Sequence, residues 1–415
     1  MPIKNNRSIS IWICICIAAL YKPAFIDNIE IADLMWNGFR GIILIGLVGA
    51  FFPVIKTGKI KKYILAVLIW GGALLIFTVF NNGSLANYIL SVGIGLGIII
   101  SAEMELRHNT YRFVHSAAVM LGIYIIINFI TVILFPKGFY LVNNYTEING
   151  ITMIRDQVPC YFLGFRNVMF TTIFPGIVLN LLDYNYCGIK FKLFPLISIS
   201  CGFLTFVILW SATSISVSVL FILIYVVGRK IASKTLVNAI YIVSIIFFIC
   251  IVVLRLQNML SFIIVDILHK DLTFTNRTGI WDKTMELIKR SPVFGYGYRD
   301  HQFYVDVIGA SHSHNYYLDV WMRGGIVAFI AFIYLIKKCG TSLSNGCRCK
   351  NQLVLIAMLW SILIAFETES YISAVNLFVF IPLAMHCNNI ADDGIREKGI
   401  LNENIENNKK RNINY

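Results

Sequence analysis

The feature that most constrains this chain is a series of apolar stretches, each roughly 15–20 residues long, separated by short polar or charged punctuation. That length suits helices crossing a hydrocarbon core of about 30 Å. The candidate spans are residues 8–25, 36–55, 63–79, 87–101, 115–135, 167–182, 193–209, 214–227, 236–254, 318–336, 353–366 and 371–385. In lipid every backbone polar group must be bonded internally, so such spans are helices. A β-barrel would need ten-residue segments of alternating polarity, and these runs are apolar throughout. Composition agrees, with 58% hydrophobic and 14% charged residues, where a soluble domain carries about 25% charge. The expected fold class is an all-α polytopic membrane protein with about 12 transmembrane helices. Lys4 and Arg7 precede the first stretch, but no small-residue cleavage site follows, so an uncleaved first helix is expected.

The charges orient this bundle. The chain has 35 Lys and Arg against 22 Asp and Glu, a net charge of +13. With the N-terminus inside, most of the basic residues fall on one side. They lie in both tails and in the short loops near Lys56–Lys62, Glu103–Arg112, Lys190–Lys192, Arg229–Lys234 and Lys337–Lys350. The asymmetry of short loops sets orientation, so both termini are expected to be cytoplasmic. The positive charge then anchors the cytoplasmic face. Scattered as it is over short loops, it makes a poor nucleic-acid footprint, and no such partner is expected. Of the ten cysteines, only Cys160 falls in an outer loop, which excludes a disulfide framework there. Cys339, Cys347 and Cys349 lack both metal-site spacing and a fourth ligand.

Two connections are long, 136–166 and 255–317, and both are expected on the outer face of one transmembrane domain, residues 1–387. Residues 388–415 form a polar tail expected to be disordered. Long loops on a minimal bundle are where function concentrates. In the second loop, Thr275-Asn276-Arg277-Thr278 offers helix caps, and Ile280, Trp281, Thr284, Met285 and Ile288 follow at helical spacing until Ser291-Pro292 ends the helix. Trp281 reads as packing or interfacial anchoring. Phe294-Gly295-Tyr296-Gly297-Tyr298 is a turn able to bring backbone close to a ligand. The loop closes at Ser311-His312-Ser313-His314-Asn315.

These residues resemble the superfamily of O-antigen ligases and Wzy-type polysaccharide polymerases. Its ligase motif reads His, then Asn/Ser/Gln, nine residues, Gly, two residues, then Gly/Thr/Tyr. Here His314-Asn315 is followed by Tyr316–Gly324 and Gly325, with a departure at Ala328. Arg277-x3-Trp281 and Pro292-x2-Gly295-x-Gly297 are similar to the family's segment ahead of the histidine, and Gly164-Phe165-Arg166-Asn167 resembles its entry to the sixth span. The resemblance implies a lipid-dependent (GT-C-like) glycosyltransferase architecture in a bacterial cytoplasmic membrane, with its site on the extracytoplasmic face. It implies a polyprenyl-pyrophosphate-linked oligosaccharide donor and neither metal nor cofactor. Flippase and chain-length regulator proteins are its implied partners.

Glycosyl transfer from a pyrophosphate needs a base for the acceptor hydroxyl and cations for the leaving diphosphate. Histidine suits the first role and arginine, with its planar fork of donors, the second. The expected assignment is His314 as base and Arg166 and Arg277 on the pyrophosphate. Expected on the substrate are His312, which could also hold or replace His314, with Asn315, Arg299, Tyr296 and Asn167. The bland readings are a solvated surface histidine, and interfacial anchors for Arg166 and Arg277. An arginine at a helix start is unfavourable to the helix dipole, which hints that Arg277 has another task. Against a substrate role, Arg299 reads more readily as a solvated charge, as does Lys270. Asp319 and Arg323 read as an i,i+4 ion pair, and Arg40 as a cation snorkelling to the surface. A repeat-unit polymerase for capsule, O-antigen or exopolysaccharide is the leading expectation, since Ala328 departs from the ligase motif. A ligase is the near alternative. A lipid-linked-sugar flippase is the alternative of another class, for which an internal repeat and midplane polar features would be needed.

Overall fold

The computed structural model describes residues 8–56, 62–148, 151–186, 192–256, 277–346, 349–370 and 374–391. Lys270, Thr275, Asn276 and the tail beyond residue 391 lie outside the described residues. In chain order the elements are α1 (Ile11–Leu20), α2 (Glu30–Lys56), α3 (Lys62–Phe80), α4 (Leu85–Tyr88), α5 (Ile94–His108) and α6 (Thr110–Leu134), then the strands β1 (Tyr140–Ile148) and β2 (Ile151–Cys160). There follow α7 (Phe170–Tyr186), α8 (Leu193–Ile208), α9 (Ala212–Val227), α10 (Ser233–Phe247), α11 (Arg277–Arg290), α12 (His301–Ile308), α13 (Tyr316–Asn345), α14 (Lys350–Thr368) and α15 (Phe380–Met385). A single π-turn, Ile89–Gly93, joins α4 to α5, and a 3₁₀ turn, Ala374–Val379, leads into α15.

The chain is a nearly all-helical polytopic membrane protein. Eight of the described helices are long and apolar enough to cross a bilayer: α2, α3, α4 with α5, α6, α9, α10 with its extension to Val253, α13 and α14. The remaining expected spans fall on shorter helices, α1, α7, α8 and Ala374–Met385. The ten residues of α1 advance only about 15 Å. Large apolar side chains such as Ile31, Leu34, Ile42, Ile45 and Val48 on α2 are exposed, as lipid-facing surface requires. α14 is instead sheathed on all sides, with 89% of its span buried, and packs against α7, α9, α10 and α13. At one end of this core Glu103 is fully buried, held by the Tyr63 hydroxyl, Arg107 at 2.7 Å and His386 at 2.8 Å.

The hairpin β1–β2 is antiparallel, with Tyr140 opposite Cys160 and Ile148 opposite Ile151. It gives the long connection 136–166 a regular structure that was not foreseen. The signal was present, since Asn149-Gly150 between two β-rich runs is the dipeptide that tight hairpin turns favour.

α13 is kinked. Gly325 adopts φ 59°, ψ −170°, a region closed to residues with a side chain. The kink frees carbonyls that a straight helix would use, and residues 292–297 occupy them. The Tyr296 N–H donates to the Met322 carbonyl (2.9 Å) and the Gly297 N–H to the Arg323 carbonyl (2.8 Å), while the Ile326 N–H donates to Pro292 (3.0 Å). The Phe294–Tyr298 turn thus brings backbone close to α13, and its last residue, Tyr298, also lines the cavity described below. Gly297 has φ 68°, and a Cβ there would collide with the Thr78 backbone. Gly325→Ala would meet the Val293 carbonyl oxygen as well as the forbidden backbone region. It is expected to cost about 1–3 kcal/mol from backbone conformation alone. A melting curve in detergent checks this, and an unchanged midpoint would show that the kink is not glycine-dependent.

Candidate active site

At the hairpin end of the bundle the described residues line a half-open cavity of about 710 Å³, within the usual range for small-molecule sites. Its walls come from the α1–α2 connection, the π-turn, the hairpin base, residues 163–172, the 298–304 segment, the 311–319 segment and residues 370–376. The floor is aromatic. Tyr316 stacks on Phe366 at 4.5 Å and meets Phe332 and Phe378 edge-on.

Asn315 starts α13. Its side chain accepts from the Leu318 N–H (3.0 Å), as an N-cap does, and its amide donates to the Glu367 carbonyl (2.9 Å). This fully buried residue anchors the start of α13 and does not line the cavity. Just before it, His314 takes φ 52°, an uncommon conformation outside glycine that an over-determined site can hold. Its Nδ1 lies 2.9 Å from Glu369 Oε1. The other carboxylate oxygen, Oε2, lies 2.7 Å from Arg277, which also donates to the Thr368 carbonyl. Arg277, the first residue of α11, therefore serves Glu369, and it does not line the cavity. The unfavourable dipole position hinted at in the sequence has this explanation.

His312 lines the cavity and packs against His314, with ring centroids 4.2 Å apart. Its Nδ1 accepts from the His314 N–H at 3.3 Å. Burial, reinforced by neighbouring His314, lowers the His312 pKa to about 4 and keeps the ring neutral at pH 7. Burial alone would raise the Glu369 carboxyl. Arg277 opposes this most strongly, with the hydrogen bond and charge of His314 and the charge of His312, and the result is about 2. Glu369 is thus ionised, and a carboxylate at Nδ1 selects the tautomer with the proton there, leaving the His314 Nε2 lone pair for chemistry. Ligand atoms of His312, His314 and Glu369 lie within 4.8 Å of one another. Both carboxylate oxygens are already engaged, one by a guanidinium, so a metal ion would have to displace the ion pair to bind there.

Asp319 and Arg323 do pair, at 2.9 Å. They also line the cavity, with the guanidinium between the rings of Tyr298 (4.7 Å) and Tyr304 (4.3 Å). Arg299 lines the cavity and lies over Phe303 at 4.7 Å. Arg166 is exposed, and although Gly164, Phe165 and Val168 face the cavity, Arg166 does not line it. Asn167 is turned to the α8–α9 corner, accepting from the Ser211 hydroxyl at 3.4 Å. Tyr296 donates to the Leu287 carbonyl (3.1 Å) and packs on Phe303, outside the cavity lining. Neither residue lines the cavity. Arg40 departs from the snorkelling expectation. It turns inward, donating to the Ala19 (3.0 Å) and Leu20 (3.2 Å) carbonyls that α1 leaves open at its end, and it lines the cavity.

Sequence reasoning missed Glu369 and Arg40. Glu367-Thr368-Glu369 between two apolar runs was the available signal, since ionisable groups at span edges are functional candidates.

No curated protein and no solved structure matches this chain. Residues 197–333 match the family model described as O-antigen ligase. The match takes in Arg277, Arg299, His312, His314 and Asn315, while Arg40, Arg166 and Glu369 fall outside it. The family indicates a glycan-transfer function of the ligase or polymerase type. Residues 197–333 are thus similar to the O-antigen ligase family, which is consistent with the superfamily of O-antigen ligases and Wzy-type polymerases.

Proposed function

We propose that this protein is a polymerase of lipid-linked oligosaccharide repeat units, working at the extracytoplasmic face of a bacterial cytoplasmic membrane. The observation that carries the reading is the His314–Glu369–Arg277 relay beside a cavity that His312 lines. In this scheme a sugar hydroxyl of one repeat unit attacks the anomeric carbon of a chain held on polyprenyl diphosphate. His314 Nε2 takes the hydroxyl proton as the new C–O bond forms, and the bond to the diphosphate oxygen breaks. The polyprenyl diphosphate leaves as an anion. Glu369 steadies the imidazolium that forms, as an oriented carboxylate does. His312, neutral and on the cavity wall, holds the acceptor. Arg277 keeps Glu369 charged and in place.

The test is a purified-protein reaction with polyprenyl-diphosphate-linked repeat units. A ladder of products differing by whole repeats is expected. Transfer of preformed glycan to a second acceptor without a ladder would instead make the protein a ligase. Movement of the donor across the bilayer with no new linkage would replace both readings with a transporter.

A further inference from the structure

Four cationic side chains line the cavity: Lys22, Arg40, Arg299 and Arg323. Two are already matched. Lys22 is bridged to Asp27 and Asp33, and Arg323 to Asp319. The other two are not bridged, although the charges of Asp27 and Asp33 act on Arg40 at longer range. Arg40 donates only to neutral groups, the Ala19 and Leu20 carbonyls and the Asn37 side chain (3.4 Å). Among the described residues no carboxylate forms a salt bridge with Arg40 or with Arg299.

Both guanidiniums are held by fixed surroundings. Arg40 is tethered to the end of α1. The Arg299 backbone is pinned by its N–H donating to the Tyr304 hydroxyl (3.3 Å) and its carbonyl accepting from Asn87 (3.4 Å). Two pre-positioned guanidiniums with no salt-bridge partner, opening on one half-buried cavity, offer charge that an anion would complete. Their planar donor forks suit phosphate oxygens.

The cavity also has an apolar exit. Leu90, in the π-turn, lines the cavity yet is 43% exposed on the apolar flank of the bundle. Ile94, one turn on, continues the apolar wall inward. A cationic pole beside a lateral apolar opening complements an amphiphile with a phosphate head.

We propose that Arg40 and Arg299 form the diphosphate-binding face of the cavity, and that Leu90 and Ile94 lead the donor's prenyl chain out sideways into the membrane. The identity of the ligand as a glycosyl donor rests on the function proposed above, while its anionic and apolar chemistry rests on the cavity alone. Diphosphate binding thereby passes from the sequence-favoured pair Arg166 and Arg277 to Arg299, expected on the substrate, and Arg40, expected to snorkel.

Binding is measured on the full chain in detergent, with farnesyl diphosphate, farnesyl monophosphate and inorganic pyrophosphate as probes. Wild type is expected to bind farnesyl diphosphate about tenfold or more tightly than either of the others. Arg40→Gln and Arg299→Gln are each expected to weaken it by about tenfold or more. Arg290→Gln, at an exposed pair with Glu286 away from the cavity, should change nothing. Because Arg40 also caps α1, Arg40→Lys and Arg299→Gln carry the test if Arg40→Gln fails to fold. The lysine variant is expected to fold and to lose part of the affinity. The proposal is overturned if wild type does not bind farnesyl diphosphate, or if Arg299→Gln binds it unchanged. It is overturned too if inorganic pyrophosphate binds equally well, which would make the ligand a free anion. If binding follows the proposal but no linkage forms with glycan-bearing donors, the clamp stands and the transfer reading falls.

Discussion

His314→Ala is expected to lower linkage formation by about 10²–10⁴-fold while leaving the fold intact, because general-base catalysis contributes on that scale. The side chain is 27% exposed, so its removal opens no deep cavity and the melting midpoint should move little. Product ladders from wild type and variant, matched for folded protein, measure the effect. If the ladders are equal, His314 is not the base, and attention passes to His312, which lines the cavity directly. His312→Ala is a useful companion for that reason. A large loss in His314→Ala with a modest one in His312→Ala fits the assignment.

The second large effect is at Glu369. Glu369→Gln leaves the Arg277 guanidinium, only 16% exposed, without its counter-charge, and an orphaned buried charge costs about 3–5 kcal/mol. It also removes the negative charge that steadies protonated His314. Both stability and activity should therefore fall. Arg277→Gln/Glu369→Gln leaves neither charge alone and is expected to recover much of the stability yet stay inactive. That split separates the two tasks of Glu369. An active, stable Glu369→Gln protein would remove the relay from the mechanism.

Much of this architecture was legible because its causes are local. A run of lipid-length apolar residues dictates a helix wherever it occurs, and α2, α3, α6, α13 and α14 all lie where hydropathy placed them. His314, Asn315 and Gly325 were legible through their spacing, and the structure supplies physical reasons for two of them. Asn315 caps α13 and Gly325 makes its kink. What was hidden depends on distant pairing. Glu369 lies 55 residues from His314 and 92 from Arg277 in sequence, and no periodicity within one helix encodes which helix end will face another. Arg40 was misread for the same reason. A cation near the start of an apolar span is set by local rules to reach for water, and only the open carbonyls of α1 turn it inward.

The relay is assembled from helix ends: Arg277 opens α11, His314 precedes the cap of α13, and Glu369 follows the last residue of α14. A helix advances about 1.5 Å and turns about 100° with each residue. One residue gained or lost within α14 would therefore swing Glu369 to another side of its axis, out of reach of both partners. The counting of residues along these rods, more than the identity of those facing lipid, is the inheritance that a working copy of this protein must keep.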